Sequence, residues 1–276
     1  MVTKSDLLLR RLRPDSTKDA RGRLRVGAAI GARGDFVERA AELVKAGVDV
    51  LLIDIAHGHS DVMREAVEAL RGRHAKIDLV CGNVGTAEGA AFLRDLGADA
   101  IKVGIGPGRG CRTRLETGAG VPQLQAIREA WHAVGEEVPI IADGGAREDK
   151  DLFLALLCGA SSIMLGSMLA GTDEAPGTVI EDPATRQKHK IYRGALYDET
   201  SAEDSPFDTP AEGQEIEVPY KGSVVEVLHR IRGHLRSAVS YGGTDSLAAF
   251  RAEVVRDPRP HLIPLSAAAR RESFTR

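Results

Sequence analysis

A chain of 276 residues with 43% apolar and 28% charged side chains is long enough to bury a large core. Its net charge of -3 carries no basic excess of the kind nucleic-acid binding uses, and no apolar run approaches the ~20 residues needed to span a bilayer. Cys81, Cys111 and Cys158 are odd in number and lack a zinc-site spacing, which suits a reducing, cytoplasmic setting better than a disulfide framework.

The opening MVTKSDLLLRRLRPD has no apolar core that could serve as a secretory signal. Short β-branched runs then alternate with helical patterns. LRVGAAIG precedes the amphipathic DFVERAAELVKAG, and VDVLLIDIAHG precedes SDVMREAVEALRGR. IDLVCGNVG leads to AEGAAFLRDLG, and ADAIKVGIG leads through a glycine-rich loop to VPQLQAIREAWHAVG. VPIIADGG precedes EDKDLFLALLCG, and ASSIMLGSML ends the series. The strands read as near-continuous apolar runs, as parallel strands buried on both faces do, and the helices tend to end at glycine.

After Leu169 the pattern breaks. GTDEAPGTVIEDPATRQKHKIYRG reads as a β-hairpin, and the acidic ALYDETSAEDSPFDTPAEGQ as a long flap. VVEVLHRIRGHLRSAVSYGG is helical by spacing, and the tail DPRPHLIPLSAAARRESFTR carries no clear element. The whole is expected to be one domain over 1–276, with hairpin and flap at 170–221 and a tail at 255–276.

Polar residues collect where strands end: Asp54, His57, Asn83, Gly104, Asp143 and Ser167. Both a (β/α) barrel and a doubly wound sheet place their sites there, so the pattern leaves the two open. About six βα units are found where a complete barrel has eight. The loop between Gly104 and Gln123 concentrates chemistry. Gly104, Gly106 and Gly108 permit close backbone approach, Pro107 stiffens the turn, and Cys111 follows among Arg109, Arg112 and Arg114. Such a loop can cradle a phosphate or bring carbonyls around a cation, and cationic neighbours favour the thiolate, the nucleophilic form of a cysteine.

The segment KVGIGPGRGCRTRLETGAGVPQ resembles the active-site loop of the IMP dehydrogenase/GMP reductase family. KDARGRLRVGAAIG, AGVDVLLIDIAHGHS, GNVGTAEGA, IIADGG, MLGSMLAGTDEAPG, YRG and AEGQEIEVPYKG resemble further family segments in family order, from about Lys18 to about Gly243. The resemblance implies a TIM-type barrel, N-terminally shortened and without a regulatory CBS module. It implies chemistry at C2 of a purine nucleotide monophosphate with NADPH or NAD as cofactor. Cys111 would form a thioimidate, with Thr113 and Glu212 as catalytic partners. Arg109, Asp143, Gly145, Gly166, Ser167, Tyr192 and Gly194 would bind the nucleotide. Asp54, Ile55, Asn83 and Gly104 would face the cofactor. The carbonyls of Gly106, Gly108 and Cys111 would hold a monovalent cation such as K+ in members that use one. Relatives are usually tetramers, so a homo-oligomer, or a partner chain completing the barrel, is expected. Read without the resemblance, Asp143 could equally cap the next helix, Asn83 close a turn and Glu212 be a solvated charge.

Four departures from the family pattern stand out. Arg109 replaces a small phosphate-binding residue, and Arg112 replaces the threonine after the cysteine. YRGALYDE replaces a Met-Gly stretch that reads the base, and the flap lacks the Arg-Tyr pair that activates water in IMP dehydrogenases. The last point favours GMP reductase-type chemistry, the conversion of GMP or a modified analogue to IMP. DIAHGHS, IADGG and VPYKG instead resemble bacterial IMP dehydrogenases, which convert IMP to XMP. About 25 residues precede the first strand, too few for two βα units, so an open barrel edge and a non-catalytic nucleotide-binding subunit are also expectations to weigh.

Overall fold

Six parallel strands pair in strict chain order in the computed structural model, which describes residues 16–193, 215–261 and 266–268. They are β1 (Gly27–Ile30), β2 (Val50–Asp54), β3 (Asp78–Val84), β4 (Ala100–Val103), β5 (Ile140–Asp143) and β6 (Ser162–Met164). Helices α1 (Phe36–Lys45), α2 (Asp61–Arg73), α3 (Ala87–Asp95), α5 (Gln123–Val134) and α6 (Asp149–Leu157) fill the connections, with a short α4 (Thr113–Glu116) in the loop after β4. A doubly wound sheet reverses its strand order at a switch point. This sheet never does, so the alternative left open by the sequence resolves to a TIM-type barrel with six of its strands.

The helices form where the sequence supplies both an apolar stripe and a cap. In α2 the buried Met63, Ala66, Val67 and Leu70 recur at helical spacing, and the Ser60 hydroxyl accepts the Met63 N–H at 3.4 Å. Thr86 caps α3 through the Gly89 N–H at 3.1 Å. Glu148 and Asp151 form a capping box at the start of α6. Across the sheet, register aligns Ile53, Cys81, Ile101 and Ile140 into one row, each no more than 1% exposed. Burying such a side chain contributes about 1.5–3 kcal/mol, so this row anchors the strand ends just beyond it.

The outer edges of β1 and β6 have no neighbouring strand among the described residues. Leu24 and Val26 beside β1 are 59% and 53% exposed, and Met164 on β6 is 39% exposed.

The expected hairpin is present as β7 (Ile180–Glu181) and β8 (Lys188–Arg193), and β9 (Glu215–Pro219) extends it to a three-stranded antiparallel sheet. Lys190, 2% exposed, fastens it by donating to the Thr172 and Ala175 carbonyls at 2.7 and 2.8 Å. Helix α7 (Val224–Tyr241) packs on α6 through a small cluster of Leu152, Met168, Val227 and Ile231. A further helix, α8 (Leu247–Arg256), lies where the sequence reading named no element; Arg251 docks it on the Leu156 and Ala160 carbonyls. Among the described residues, no helix is long and apolar enough to cross a membrane.

Candidate functional site

Four adjacent strands deliver the polar residues of one cleft. Asp54 ends β2, Asp143 ends β5, Lys102 lies on β4, and Asn83 sits at the register shift between β3 and β4. A bulge of that kind re-aims a side chain. Here the Asn83 amide donates to the Gly104 carbonyl at 2.7 Å and to Asp143 Oδ2 at 3.0 Å. Asn83 therefore does more than close a turn. Nor does Asp143 cap a helix, since Glu148 holds the N-cap of α6. The Ile55 backbone continues the ladder past β2 by exchanging bonds with Gly82 and Asn83 at 3.0 and 2.8 Å.

The glycine-rich loop brings Cys111 to the same cleft. Gly104 comes so close to Asp143 that a Cβ on it would fall inside the Asp143 carbonyl oxygen. Gly106 adopts φ +77° with the Arg114 side chain packed on it, and Arg114 in turn donates to the Val121 carbonyl at 2.5 Å. The Gly108 carbonyl accepts the Cys111 N–H at 3.1 Å, closing a tight turn. Cys111 Sγ then lies 3.1 Å from Thr113 Oγ1, at the start of α4. Arg112 pairs with Glu116 one turn along, at 2.5 Å. The cleft, about 440 Å³, is lined by Asp54, Ile55, Asn83, Lys102, Gly104, Gly106, Cys111, Thr113 and Asp143, among others.

Next to it lies a cationic pocket of about 360 Å³ formed by Arg109, Arg147, Ser167, Met168 and Lys221. Burial pushes the Lys221 ammonium below its ordinary range, and the nearby charges of Arg230 and Arg109 push the same way. Lys221 donates to the Ser167 and Met168 carbonyls at 3.1 and 2.8 Å, which holds the strand-end turn after β6 against the small sheet. Like charges gathered around a serine hydroxyl favour an anion.

Gly166 and Tyr192 line a third, largely apolar groove, with the Tyr192 hydroxyl resting on Gly166. Burial, and then the charge of Asp143, push the Tyr192 phenol up, so it stays a neutral hydroxyl that can donate. Gly145, at φ +86°, sits against Pro107 and Gln123 and ties the loop after β5 to the cysteine loop.

Thus most of the residues expected from the sequence fall in a thiol cleft, a cationic pocket and a further groove, while Gly194 and Glu212 lie outside the described residues. His57 and His59, given no role, are exposed; the His57 backbone carbonyl accepts the Ser60 hydroxyl and the His59 ring lies 4.7 Å from Phe92. The sequence reading missed Lys102, Arg147, Lys221 and Gln123, whose amide bridges the Val103 and Asp143 carbonyls at 2.9 and 3.1 Å. Lys102 had a visible sign, a charge inside a strand otherwise apolar.

No group of three His, Cys, Asp or Glu suited to a metal occurs among the described residues. For a nicotinamide cofactor the fit is better. Asn83 Oδ1 is buried without a hydrogen-bond partner, and Asp54 Oδ2 has none among the described residues. Both are acceptors beside Cys111 that an amide or ribose hydroxyls can satisfy.

The family profile described as IMP dehydrogenase / GMP reductase domain matches residues 2–275. The chain is 44% identical to an inosine-5′-monophosphate dehydrogenase of Aquifex aeolicus, covering 93% of this chain and 54% of that protein. It is 43% identical to a GMP reductase of Leishmania major, covering 99% of this chain and 56% of that protein. A crystal structure of a GMP reductase from Trypanosoma brucei in complex with guanosine 5′-monophosphate superposes with a TM-score of 0.86 at 42% identity, over 98% of this chain and 56% of the other. The chain thus spans about half the length of the curated relatives it matches. By sequence and by fold, this chain belongs to the IMP dehydrogenase/GMP reductase family.

Proposed function

We propose that the chain acts at C2 of a purine nucleotide monophosphate through Cys111, in the direction of reductive deamination of GMP or a modified analogue. The observation that carries this reading is the Cys111–Thr113 pair, 3.1 Å apart, in a cleft that opens beside a cationic pocket. The 5′-phosphate occupies the pocket of Arg109, Arg147, Ser167 and Lys221, with Gly145, Gly166 and Tyr192 closing around it. Asp143 receives the ribose hydroxyls. This places C2 of the base toward Cys111, whose thiolate adds there. Thr113 and Glu212 assist protonation of the departing amine, which leaves as ammonia. NADPH, when bound, would supply a hydride to C2 that releases the product and returns Cys111 as the thiolate, and Asp54, Ile55, Asn83 and Gly104 would hold its ribose and amide. A monovalent cation on the Gly106, Gly108 and Cys111 carbonyls belongs to the same proposal. Of these, the Gly108 carbonyl is already engaged by the Cys111 N–H, so the cation has to share it.

A second reading, oxidation of IMP to XMP with NAD, draws support from the 44% identity to the Aquifex enzyme. A third is a non-catalytic nucleotide-binding subunit, supported by the exposed β1 and β6 edges, which a second copy or a partner chain would cover.

The deciding experiment follows nicotinamide absorbance with product analysis, using GMP plus NADPH and, separately, IMP plus NAD. IMP and ammonia from the first mixture support the proposal, whereas XMP from the second replaces it with the second reading. Cys111→Ala is expected to abolish turnover while leaving nucleotide binding largely intact; turnover that survives this change sinks the mechanism. A folded protein that binds GMP and is silent in both mixtures supports the third reading.

A further inference from the structure

The Lys102 ammonium is the most buried charge in the cleft, with its side chain 3% exposed. It pairs with two carboxylates at once, Asp54 Oδ1 at 2.9 Å and Asp143 Oδ2. The two come from different strands, β2 and β5, on either side of β4. Asp54 and Asp143 are themselves 39% and 25% exposed, so the lysine is the covered root of the arrangement and the carboxylates are its accessible ends.

The backbone makes room for it. Register places Gly82 of β3 between Asp54 and Lys102. A Cβ at Gly82 would stand 2.6 Å from the Lys102 Cβ and 2.7 Å from its carbonyl oxygen, so only glycine lets the lysine lie along the sheet toward Asp54.

The atoms used matter as much as the distances. On Asp143 both donors, Lys102 and Asn83, converge on Oδ2, and Oδ1 has no partner among the described residues. On Asp54 the lysine takes Oδ1 and leaves Oδ2 in the same condition. Each carboxylate is anchored by one oxygen and presents the other. A carboxylate so fixed accepts the hydroxyl of a sugar without having to be ordered first, which is the cost that weakens binding at a mobile acceptor.

We propose that Lys102 is a positioning residue shared by two diol-binding carboxylates. Through it one buried charge orients Asp143 for the ribose of the nucleotide and Asp54 for a ribose of the dinucleotide. This rests on the proposed function above, because it takes the two carboxylates as reading one ligand each. A purely structural lysine, neutralising two acids in the barrel, would affect folding and neither affinity in particular.

Calorimetric titration of GMP and, separately, NADPH into purified variants tests this, with thermal melts reporting the fold. Asp143→Asn is expected to weaken GMP alone, and Asp54→Asn to weaken NADPH alone. Lys102→Met is expected to weaken both together, each by about ten-fold or more, the value of one charge-assisted hydrogen bond, and Lys102→Arg to restore most of both. Lys102→Gln, neutral but polar, reads the same pattern if the methionine variant does not fold. If the two aspartate variants bind both ligands normally, the functional reading has failed. If they behave as expected but a folded, neutral Lys102 variant changes only one affinity, or neither, the shared anchor is overturned.

Discussion

Replacing Asp149 by Asn isolates the joint between the barrel and helix α7. Asp149 opens α6, is 9% exposed, and receives Arg230 on both oxygens at 2.9 and 3.0 Å and His234 Nδ1 at 2.7 Å. The Arg230 bonds hold its carboxyl below the usual carboxylate range; burial opposes this, and the His234 bond adds to it. A hydrogen bond to a charged group contributes about 1.5–3 kcal/mol. Arg230, at 51% exposure, regains water when the pair is lost, so the two bonds together come to the low end, about 2 kcal/mol. For a chain of this size that is a drop of roughly 3–4 °C in Tm. A carboxylate depressed in the folded state contributes its stability above the ordinary value of about 3.9, and loses it as pH falls through the folded value. Paired thermal melts should therefore show a constant gap between the parent and Asp149→Asn from neutral pH down to about pH 5, closing below about pH 4. Equal melting at neutral pH, or a gap that widens on acidification, would refute the reasoning.

Three further outcomes follow from the same geometry. Burial pushes the Cys81 thiol up to about 12 and raises Cys158 as well, so iodoacetamide should alkylate Cys111 first, read by peptide mass, and GMP should protect it. In Gly106→Ala the φ of +77° and a Cβ placed 2.6 Å from Arg114 Cγ should shift the cysteine loop. Turnover should then fall about 100-fold with melting little changed, since a displacement near 1 Å suffices for such a loss. Arg109→Ser should weaken GMP about ten-fold and leave guanosine unaffected, by calorimetry; tighter GMP binding would mean that the arginine crowds the pocket rather than gripping the phosphate.

What was legible in the sequence was what rests on local pattern. The six apolar runs, the capped amphipathic helices and the glycine-flanked cysteine are short-range features, and each stands where its pattern put it. Strand order was not legible in the local pattern, because a barrel and a doubly wound sheet share the same βα alternation and differ only in how distant strands pair; the family resemblance alone implied the barrel. The same holds for β9. EIEVP has few apolar residues and becomes a strand because β8 offers its edge, through five register pairs from His189–Pro219 to Arg193–Glu215. Within the site, Asp143 was suggestive by position, but its donors are 41 and 60 residues away in the chain. Lys102 and Lys221 act through such long-range partners, which no spacing rule reveals.

The division of the site across the sheet bears on how an arc of six strands can support it. Asp54, Asn83, Lys102 and Asp143 come from β2 to β5, and each of those strands has a partner on both sides. Their mutual positions are fixed by internal pairing and by the buried Ile53–Ile140 row, whatever lies beyond the edges. The cationic pocket is different. Ser167 follows β6, whose outer side is unpaired among the described residues, and it is held instead by Lys221 from the turn after β9 and by the Met168–Val227–Ile231 cluster under α7. The thiol end of the cleft is therefore built on the sheet, and the end proposed to take the phosphate on the joint that Asp149 and Arg230 clamp. Loosening that joint should weaken the grip on the nucleotide phosphate before it disturbs the pairing of Cys111 with Thr113.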